Sequence, residues 1–478
     1  MKTYYWHDYE TFGIDPQKDR PAQFAGLRTD EDFNVIDDPL VIYCKPSDDY
    51  LPNPDACLIT GITPQLAKLK GVCEAEFITL IHEQLAQPNT CTLGYNNIRF
   101  DDEVTRNCLY RNFYDPYARE WQNGNSRWDL IDVVRAARAL RPEGIVWPFD
   151  DLGVPTNRLD QLTVANNIEH EAAHDALSDV LATIALAKLI KSAQPKLFQF
   201  LLENRTKHQV NDILKLGSHK PLLHISGMYS TKNNSLAIIL PICLHPTNSN
   251  GVIAYDLSVD PEPLLNLSVE EIQARIFTAT DELAEGVVRV PLKTIHVNKC
   301  PVLAPISVIR PEDAVRLSLD LERCLSHLKL LVDDIHIGKK VAAVFNRPMP
   351  HALSVDPDAG IYSGGFFSEA DKQQFTKIRT CKTEELPNLN LSFNDQRMAE
   401  MFFRYKGRNY PHTLNCEEQL RWKQFCKDRL TGELSGGGIN LDTYKARLRE
   451  LTSDESISIS LINALNDYAE GLCKSHSI

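Results

Sequence analysis

The sequence lacks the features of a membrane protein and of a disulfide-stabilised secreted protein. Its 12 cysteines are scattered with no C-x-x-C pair, which argues against zinc sites and a disulfide framework. The best apolar run, Leu236 to Leu244, is interrupted by Pro241 and is too short to cross a bilayer. Met1-Lys2-Thr3 leads directly into a strand pattern, so no signal peptide is expected. We therefore expect a cytoplasmic protein with reduced thiols and no membrane partner.

An excess of positive charge is also missing. The chain carries 51 Lys and Arg against 64 Asp and Glu, a net charge of −13. Bulk charge governs solubility and long-range steering, whereas binding depends on local patches. One such patch, from Arg106 to Arg141, interleaves arginines with aromatic residues. Cations follow a phosphate backbone and aromatic faces stack on bases, so the patch predicts binding of single-stranded nucleic acid.

The same patch has a structural interpretation. Several of its aromatic residues could belong to the core, and several arginines could lie on solvated helix faces. We expect about half of the patch to contact substrate. The preferred contacts are Arg106, Tyr117, Trp121 and Arg135.

Length and patterning indicate several domains. A chain of 478 residues is too long for one core, and its 43% hydrophobic content is ordinary for a globular protein. Residues 1–188 alternate strand-like and helical runs, which predicts an α/β domain around a mixed sheet. Residues 195–348 show short strands interrupted by a helix whose capping box is Ser268 and Glu271. Residues 351–478 carry amphipathic helical runs, so a third, all-α domain is expected.

The most informative residues are two acids at the end of the first apolar run, Asp8 and Glu10. Side chains at positions i and i+2 of a strand point to the same face, so these carboxylates should lie together. Two acids in such a place repel one another unless a cation lies between them, and oxygen ligands suit Mg²⁺ or Mn²⁺. Taken alone, the pair is weak evidence, and a solvated strand end is the simpler interpretation.

Two further segments extend this acidic set. Asp101 falls at or near a helix N-terminus, where a carboxylate is favoured as a cap. His174 precedes Asp179 by five positions across a loop-to-helix junction, and Asp175 is expected to cap that helix. Capping alone could also account for His174, and for Asp101 a capping role is compatible with metal binding.

Taken in chain order, these positions resemble the DEDD exonucleases in the variety with a histidine five residues before the last acid: Asp8, Glu10, Asp101, His174 and Asp179. Longer stretches are similar to the bacterial exonuclease I family, and they are 7–13, 19–24, 94–103, 110–117 and 298–302. This resemblance extends over nearly the whole chain and becomes thin after about residue 350. It implies a ribonuclease H-like exonuclease domain, an SH3-like β-barrel domain with helical insertions, and a helical C-terminal domain.

The chemistry follows from the residue types. Carboxylates in one cleft can hold two divalent cations about 3.5–4 Å apart, on either side of a phosphodiester. We expect Asp8, Glu10 and Asp179 to hold two Mg²⁺ ions, with Mn²⁺ as a substitute and Asp101 acting through the outer shell. A general base should titrate near working pH, and His174 is the natural choice to take the proton of the attacking water.

The resemblance adds substrate contacts and partners. It implies processive 3′-to-5′ degradation of single-stranded DNA to 5′-mononucleotides in repair and recombination, with Glu10 contacting the terminal 3′ hydroxyl. It also implies that Arg158 contacts substrate and that Thr60 and Ile62 lie in an apolar wedge under the last nucleotide. Lys207 and Lys299 could extend the DNA path, although a single lysine is more often solvated surface.

The family also binds the acidic C-terminal tail of single-stranded-DNA-binding protein. The candidates for that contact are Arg310, Arg316 and Lys329. The resemblance further suggests that the second and third domains arch over the DNA, and a monomer is the simpler expectation.

Two other functions remain open at this point. One is a DEDD exoribonuclease, which keeps the metal chemistry but contacts a 2′-OH. The additional domains argue against it, because small RNA-trimming members of the superfamily lack them. The other is a catalytically silent scaffold that binds single strands, and a complete acidic set with His174 argues against that.

Overall fold

A computed structural model describes residues 2–170, 174–347, 356–434, 436, 438–454 and 457–478. The chain divides into two compact units. The first unit comprises Met1–Arg127, Glu171–Leu181 and His351–Ile478, and the second comprises Trp128–His170 and Ala182–Pro350. The domain boundaries expected from the sequence stay a prediction, and the expected junction near residue 350 falls partly outside the described residues.

The strands have the following bounds: β1 Thr3–Thr11, β2 Pro21–Thr29, β3 Leu40–Tyr43, β4 Thr90–Gly94, β5 Ser126–Asp129, β6 Leu222–Ile225, β7 Leu236–Leu244, β8 Gly251–Asp256, β9 Leu292–His296 and β10 Val302–Pro305. The α-helices have these bounds: α1 Pro54–Thr60, α2 Pro64–Lys70, α3 Glu74–Leu85, α4 Asp101–Arg111, α5 Leu130–Leu140, α6 Leu159–Ala165, α7 Ala176–Ala193, α8 Pro195–Glu203, α9 Lys207–Leu214, α10 Glu262–Asn266, α11 Val269–Phe277, α12 Pro311–Arg316, α13 Leu321–Asp333, α14 Ile337–Phe345, α15 Glu369–Thr380, α16 Arg397–Asn409, α17 Cys416–Thr431, α18 Leu441–Thr452 and α19 Ile459–His476.

The N-terminal sheet is mixed, as the sequence predicts. Its strand order is β3-β2-β1-β4-β5, with β1 antiparallel to β2 and parallel to β4. Tyr5 and Tyr9 of β1 pack with Phe77 of α3 in a buried cluster. Because side chains alternate along a strand, Asp8 and Glu10 point to the opposite face from these tyrosines. The buried aromatic face thus sets the orientation of the two acids.

The second sheet is antiparallel with strand order β10-β6-β7-β8-β9. The strands β6, β7 and β8 coincide with strand-like runs of the sequence at 220–226, 236–244 and 252–256, whereas β9 and β10 were not predicted. Pro241 lies within β7, and the β7–β8 register shifts between Pro241 and Cys243. An irregularity of this kind tolerates a residue without an N–H, because one ladder hydrogen bond is already lost. Val210 of α9 packs with Ile239 and Ile295 in the core of this sheet.

The C-terminal part is helical, as the sequence predicts, and it packs within the first unit. Phe12 and Tyr50 share a buried cluster with Tyr444 of α18 and Leu465 of α19. The Tyr50 hydroxyl donates a hydrogen bond to the carbonyl oxygen of Phe12 at 3.1 Å. The C-terminal helices therefore support the chain directly after β1.

A buried ionic network also joins helix α16 of the C-terminal part to the loop before α1. Arg408 of α16 forms ion pairs with Asp49 at 2.8 Å and with Asp358 at 2.7 Å. Arg404 contacts Asp358 at 2.8 Å. Burial alone would raise the pKa of Asp49, but Arg408 and Arg429 hold it well below its usual range. The buried acids of this network are therefore ionised and paired.

Candidate active site

The site begins on β1 and β2. Glu10 is buried and Asp8 is half-buried. The antiparallel register pairs Glu10 with Gln23 and Asp8 with Ala25. Directly paired residues of an antiparallel ladder project to the same face. Gln23 therefore lies beside Glu10 on the face that carries the acids.

Asp101 joins the site from the start of α4. It is the first residue of that helix, and the cap position belongs to Phe100. Its carboxylate Oδ1 accepts a hydrogen bond from the backbone N–H of Tyr9 at 3.0 Å. The turn before α4 is held by Asn97, whose side-chain oxygen accepts the N–H of Gly94 at 3.1 Å. A side chain at Gly94 would meet the carbonyl oxygen of His7, so only glycine allows this close approach.

His174 and Asp179 enter from the start of α7. His174 is exposed and adopts a left-handed backbone conformation with φ of 68°. Asp175 caps the helix as predicted, since its Oδ1 accepts the N–H of Ser178 at 3.2 Å. One helical turn after the cap, Asp179 faces Glu10. Ligand atoms of Glu10, His174 and Asp179 all lie within 4.8 Å of one another.

The acidic side chains of the site lie close enough together to raise one another's pKa values. Burial, followed by the charges of Asp101, Glu10 and Asp179, raises the pKa of Asp8 well above its usual value. Burial, followed by Asp179, Asp101 and Asp175, likewise raises the pKa of Glu10. Like charges at such distances disfavour ionisation unless a cation neutralises them. The oxygen-rich donor set, together with one imidazole, fits a divalent cation.

The structure thus brings together all five positions that the sequence singles out. Their individual catalytic roles stay predictions. Sequence reasoning did not include Gln23, and it assigned Asp175 to helix capping alone. Asp175 also contributes negative charge to the cluster, because it raises the pKa values of both β1 acids. The β1–β2 register that places Gln23 here has no signal in the local sequence.

The predicted substrate contacts of the first unit differ in accessibility. Trp121 is 66% exposed, and the guanidinium of Arg106 lies 5.3 Å from the centre of the Tyr117 ring. Thr60 is half-buried at the end of α1, and its hydroxyl donates to a backbone carbonyl in that helix. Ile62 is 4% exposed in the core. The substrate roles of these residues stay predictions, and Ile62 offers little side-chain surface.

Much of the arginine patch of the first unit is structural. Arg119 and Arg127 both form ion pairs with Asp102, at 2.7 Å and 2.9 Å. Arg106 forms ion pairs with Glu103 and Glu120, each at 2.7 Å. The acids of this network account for many of the positive charges that the sequence pattern suggested for phosphate binding. Among the aromatic residues of the patch, Trp121 is exposed, whereas Tyr110, Phe113 and Trp128 are buried.

The remaining predicted contacts lie in the second unit. Arg158 is exposed and pairs with Asp160 at 3.0 Å, and Lys207 donates to the side chain of Asn250 at 2.7 Å. Arg135 pairs with Asp132 at 2.7 Å. Among the candidates for partner binding, two arginines contact the buried Asp313 and one lysine is exposed: Arg310, Arg316 and Lys329.

Three family models match this chain. They are described as exonuclease over residues 5–187, exonuclease I SH3-like domain over 205–347 and exonuclease I C-terminal domain over 355–472. Exodeoxyribonuclease I of Escherichia coli K12 is 48% identical over 473 residues, which is 98% of each chain. The chain belongs to the exonuclease I family. It is accordingly an enzyme, an exonuclease.

Solved structures of exonuclease I agree with the fold along the whole chain. The exonuclease I of Methylocaldum szegediense superposes with a TM-score of 0.95 at 49% identity, over 99% of this chain and 100% of the other. Escherichia coli exonuclease I in complex with a dA16 oligonucleotide also gives 0.95, at 48% identity and the same coverage. The predicted combination of ribonuclease H-like, SH3-like and helical domains is confirmed. Within the described ranges, no helix has both the length and the apolar character to span a membrane.

Proposed function

We propose that this exonuclease I removes 5′-mononucleotides processively from the 3′ end of single-stranded DNA. The observation that carries the proposal is the convergence of Glu10, His174 and Asp179, beside Asp8 and Asp101. Structures of Escherichia coli exonuclease I with dA16 and dT13 oligonucleotides support the choice of substrate. A monomer acting in the cytoplasm, in DNA repair and recombination, completes the proposal.

The donor set supports two Mg²⁺ ions held by Asp8, Glu10 and Asp179, with Mn²⁺ as a substitute. An Escherichia coli exonuclease I–single-stranded DNA complex with a bound zinc ion supports a divalent cation in this family. Such cations, when bound, supply charge neutralisation at the phosphate and activation of water. Asp101 holds β1 through the Tyr9 N–H and adds negative charge from the outer shell.

The remaining catalytic and binding roles are assigned to side chains of the protein. His174 takes a proton from the attacking water, because its imidazole is exposed beside Glu10 and histidine is the side chain that most often acts as a general base. Glu10 also accepts a hydrogen bond from the terminal 3′ hydroxyl, which selects a chain end. The remaining substrate contacts are assigned by residue type: stacking by Tyr117 and Trp121, an apolar wedge from Thr60 and Ile62, and phosphate contacts by Arg106, Arg135, Arg158 and Lys207.

A structure of single-stranded-DNA-binding protein and exonuclease I with an inhibitor supports a second interaction. We assign the acidic tail of that partner to the basic residues of the second unit, Arg310, Arg316 and Lys329. Two of these arginines already contact Asp313. Because Asp313 already holds these arginines in place, a carboxylate of the tail could bind them without the entropic cost of ordering mobile side chains.

The test is digestion of a 5′-labelled DNA oligonucleotide beside its RNA and duplex counterparts, with Mg²⁺ or with EDTA. We expect Mg²⁺-dependent shortening of the DNA single strand from its 3′ end. His174→Ala should lower kcat by about 10²–10⁴-fold. His412→Ala, an exposed histidine of the C-terminal part, should match the wild type.

Each other outcome contradicts part of the proposal. Preference for the RNA strand would indicate an exoribonuclease. Binding without cleavage would indicate a scaffold. Full activity of the His174 variant would exclude that residue as the base.

A further inference from the structure

Gln23 connects the strand pair of the active site to the helix that carries Asp179. It lies on β2 directly opposite Glu10, and its side chain is 2% exposed. Its Nε2 lies 3.5 Å from Asp175 Oδ2, and its Oε1 accepts the backbone N–H of Ala176 at 3.4 Å. One buried amide therefore contacts both an acid and a backbone group at the start of α7.

The residues that Gln23 contacts, Asp175 and Ala176, lie between His174 and Asp179 in the chain. Asp175 follows His174 directly, and its carbonyl oxygen accepts the N–H of Asp179 at 3.0 Å. The other carboxylate oxygen of Asp175 accepts the N–H of Ser178. A displacement of Asp175 would consequently move the histidine on one side and the acid on the other.

The backbone of His174 has a conformation that depends on contacts with neighbouring residues. A left-handed conformation in a residue other than glycine is strained and persists only where the surroundings impose it. Gln23 supplies such a constraint on the C-terminal side of His174. Its amide is suited to the position, because it can donate to one carboxylate while accepting from a backbone N–H. A glutamate there would keep the acceptor, lose the donor and repel Asp175.

We propose that Gln23 is a positioning residue of the exonuclease reaction. It holds His174 and Asp179 in the positions beside Glu10 that the reaction requires. The inference rests on the proposed roles of His174 and Asp179. Misplacement of a reacting group by about 1 Å can lower a rate by about 10²-fold. Gln23→Leu should accordingly lower kcat by about 10- to 100-fold while KM for single-stranded DNA changes less than about twofold.

The deciding measurements separate positioning from general destabilisation. Kinetics, Tm and hydrogen exchange are measured for Gln23→Leu and Gln23→Glu. We expect faster exchange of the 174–181 segment in both variants, with Tm close to that of the wild type in Gln23→Leu and lower in Gln23→Glu, which adds a buried acid beside Asp175. Gln424→Leu is the matched control, since Gln424 also donates its amide to an aspartate, Asp428 at 2.6 Å, on an exposed face of α17.

A double-mutant cycle with Asp175→Ala tests the route. If Gln23 acts through Asp175, the kcat effect of Gln23→Leu should shrink in the Asp175→Ala background. Where Gln23→Leu melts early, its kcat and hydrogen exchange are compared with those of the wild type at a temperature well below the unfolding of both proteins. Wild-type kcat in that variant, or a loss of kcat that only follows Tm, would overturn the inference.

Parallel assays of His174→Ala keep the two proposals apart. An inactive His174→Ala beside fully active Gln23 variants would reject the positioning role alone. An active His174→Ala would reject the assignment of the base, on which the inference rests.

Discussion

The backbone N–H of Tyr9 donates a hydrogen bond to the carboxylate of Asp101, at 3.0 Å. Tyr9 lies between Asp8 and Glu10 in the sequence, so this single bond ties the start of α4 to the strand that carries both acids. Asp101 therefore has a structural contact in addition to its charge. Substitutions can separate these two contributions.

Asp101→Asn should separate them, because its side-chain oxygen can still accept the Tyr9 N–H while its charge is lost. With Mg²⁺ present to neutralise the cluster, we expect a Tm close to the wild type and a kcat lower by at least about 10²-fold. Asp101→Ala also leaves a buried N–H without its acceptor, which should destabilise the protein by about 1–3 kcal/mol more. Steady-state kinetics and thermal unfolding distinguish the two variants. Equal Tm values would mean that the hydrogen bond contributes nothing to stability.

Asp8→Asn should stabilise the metal-depleted protein. The pKa of Asp8 is higher in the folded than in the unfolded state, so at pH 8 its ionised form opposes folding. The neutral amide removes this repulsion, and Tm in EDTA should rise. Added Mg²⁺ should raise the wild-type stability by about 2.7 kcal/mol at 100 times Kd. The variant should lose most of that increase, and an identical response of both proteins to Mg²⁺ would contradict the assignment.

Arg408→Leu should be strongly destabilising, because it leaves Asp49 and Asp358 buried without their shared cation. Breaking a buried ion pair in this way costs about 3–5 kcal/mol. Arg447→Leu is the matched control, since its ion pair with Asp55 also links the C-terminal helices to α1 but is solvent-exposed. Urea unfolding should show a large loss for the first variant and little change for the second. Similar losses would mean that burial does not matter here.

Acid should weaken the protein through Glu74. Burial would raise the pKa of Glu74, but Arg111 and Arg20 lower it to about 2. A folded pKa below the unfolded value of 4.5 means that the stabilisation is complete above pH 4.5. It is then lost progressively as the pH falls towards 2. Unfolding free energies measured between pH 2 and 6 should fall less steeply for Glu74→Gln than for the wild type, and parallel curves would contradict this assignment.

Local patterns accounted for the elements whose signals are short-range. The capping box of Ser268 and Glu271 forms as predicted, and so does the cap of α7 by Asp175. The strands β9 and β10 were not predicted, because each is short and takes its regularity from pairing with distant strands. The arginine patch also shows that local sequence patterns do not predict pairing between residues that are distant in the chain. Composition suggested a phosphate-binding surface, but Arg119 and Arg127 form ion pairs with Asp102. The spacing of these residues along the chain does not predict that they pair.

The sequence by itself singled out the five positions that the structure brings together, because their order and spacing along the chain resemble those of the DEDD exonucleases. It thereby identified the acids and His174. Only the tertiary structure decided that Gln23 contacts the start of α7, that Asp101 holds the Tyr9 N–H, and that Arg408 pairs with Asp49. The physical reason is that strand register and buried ion pairing join residues far apart in the chain. Their geometry is set by the packing of the whole core rather than by the periodicity of any one segment.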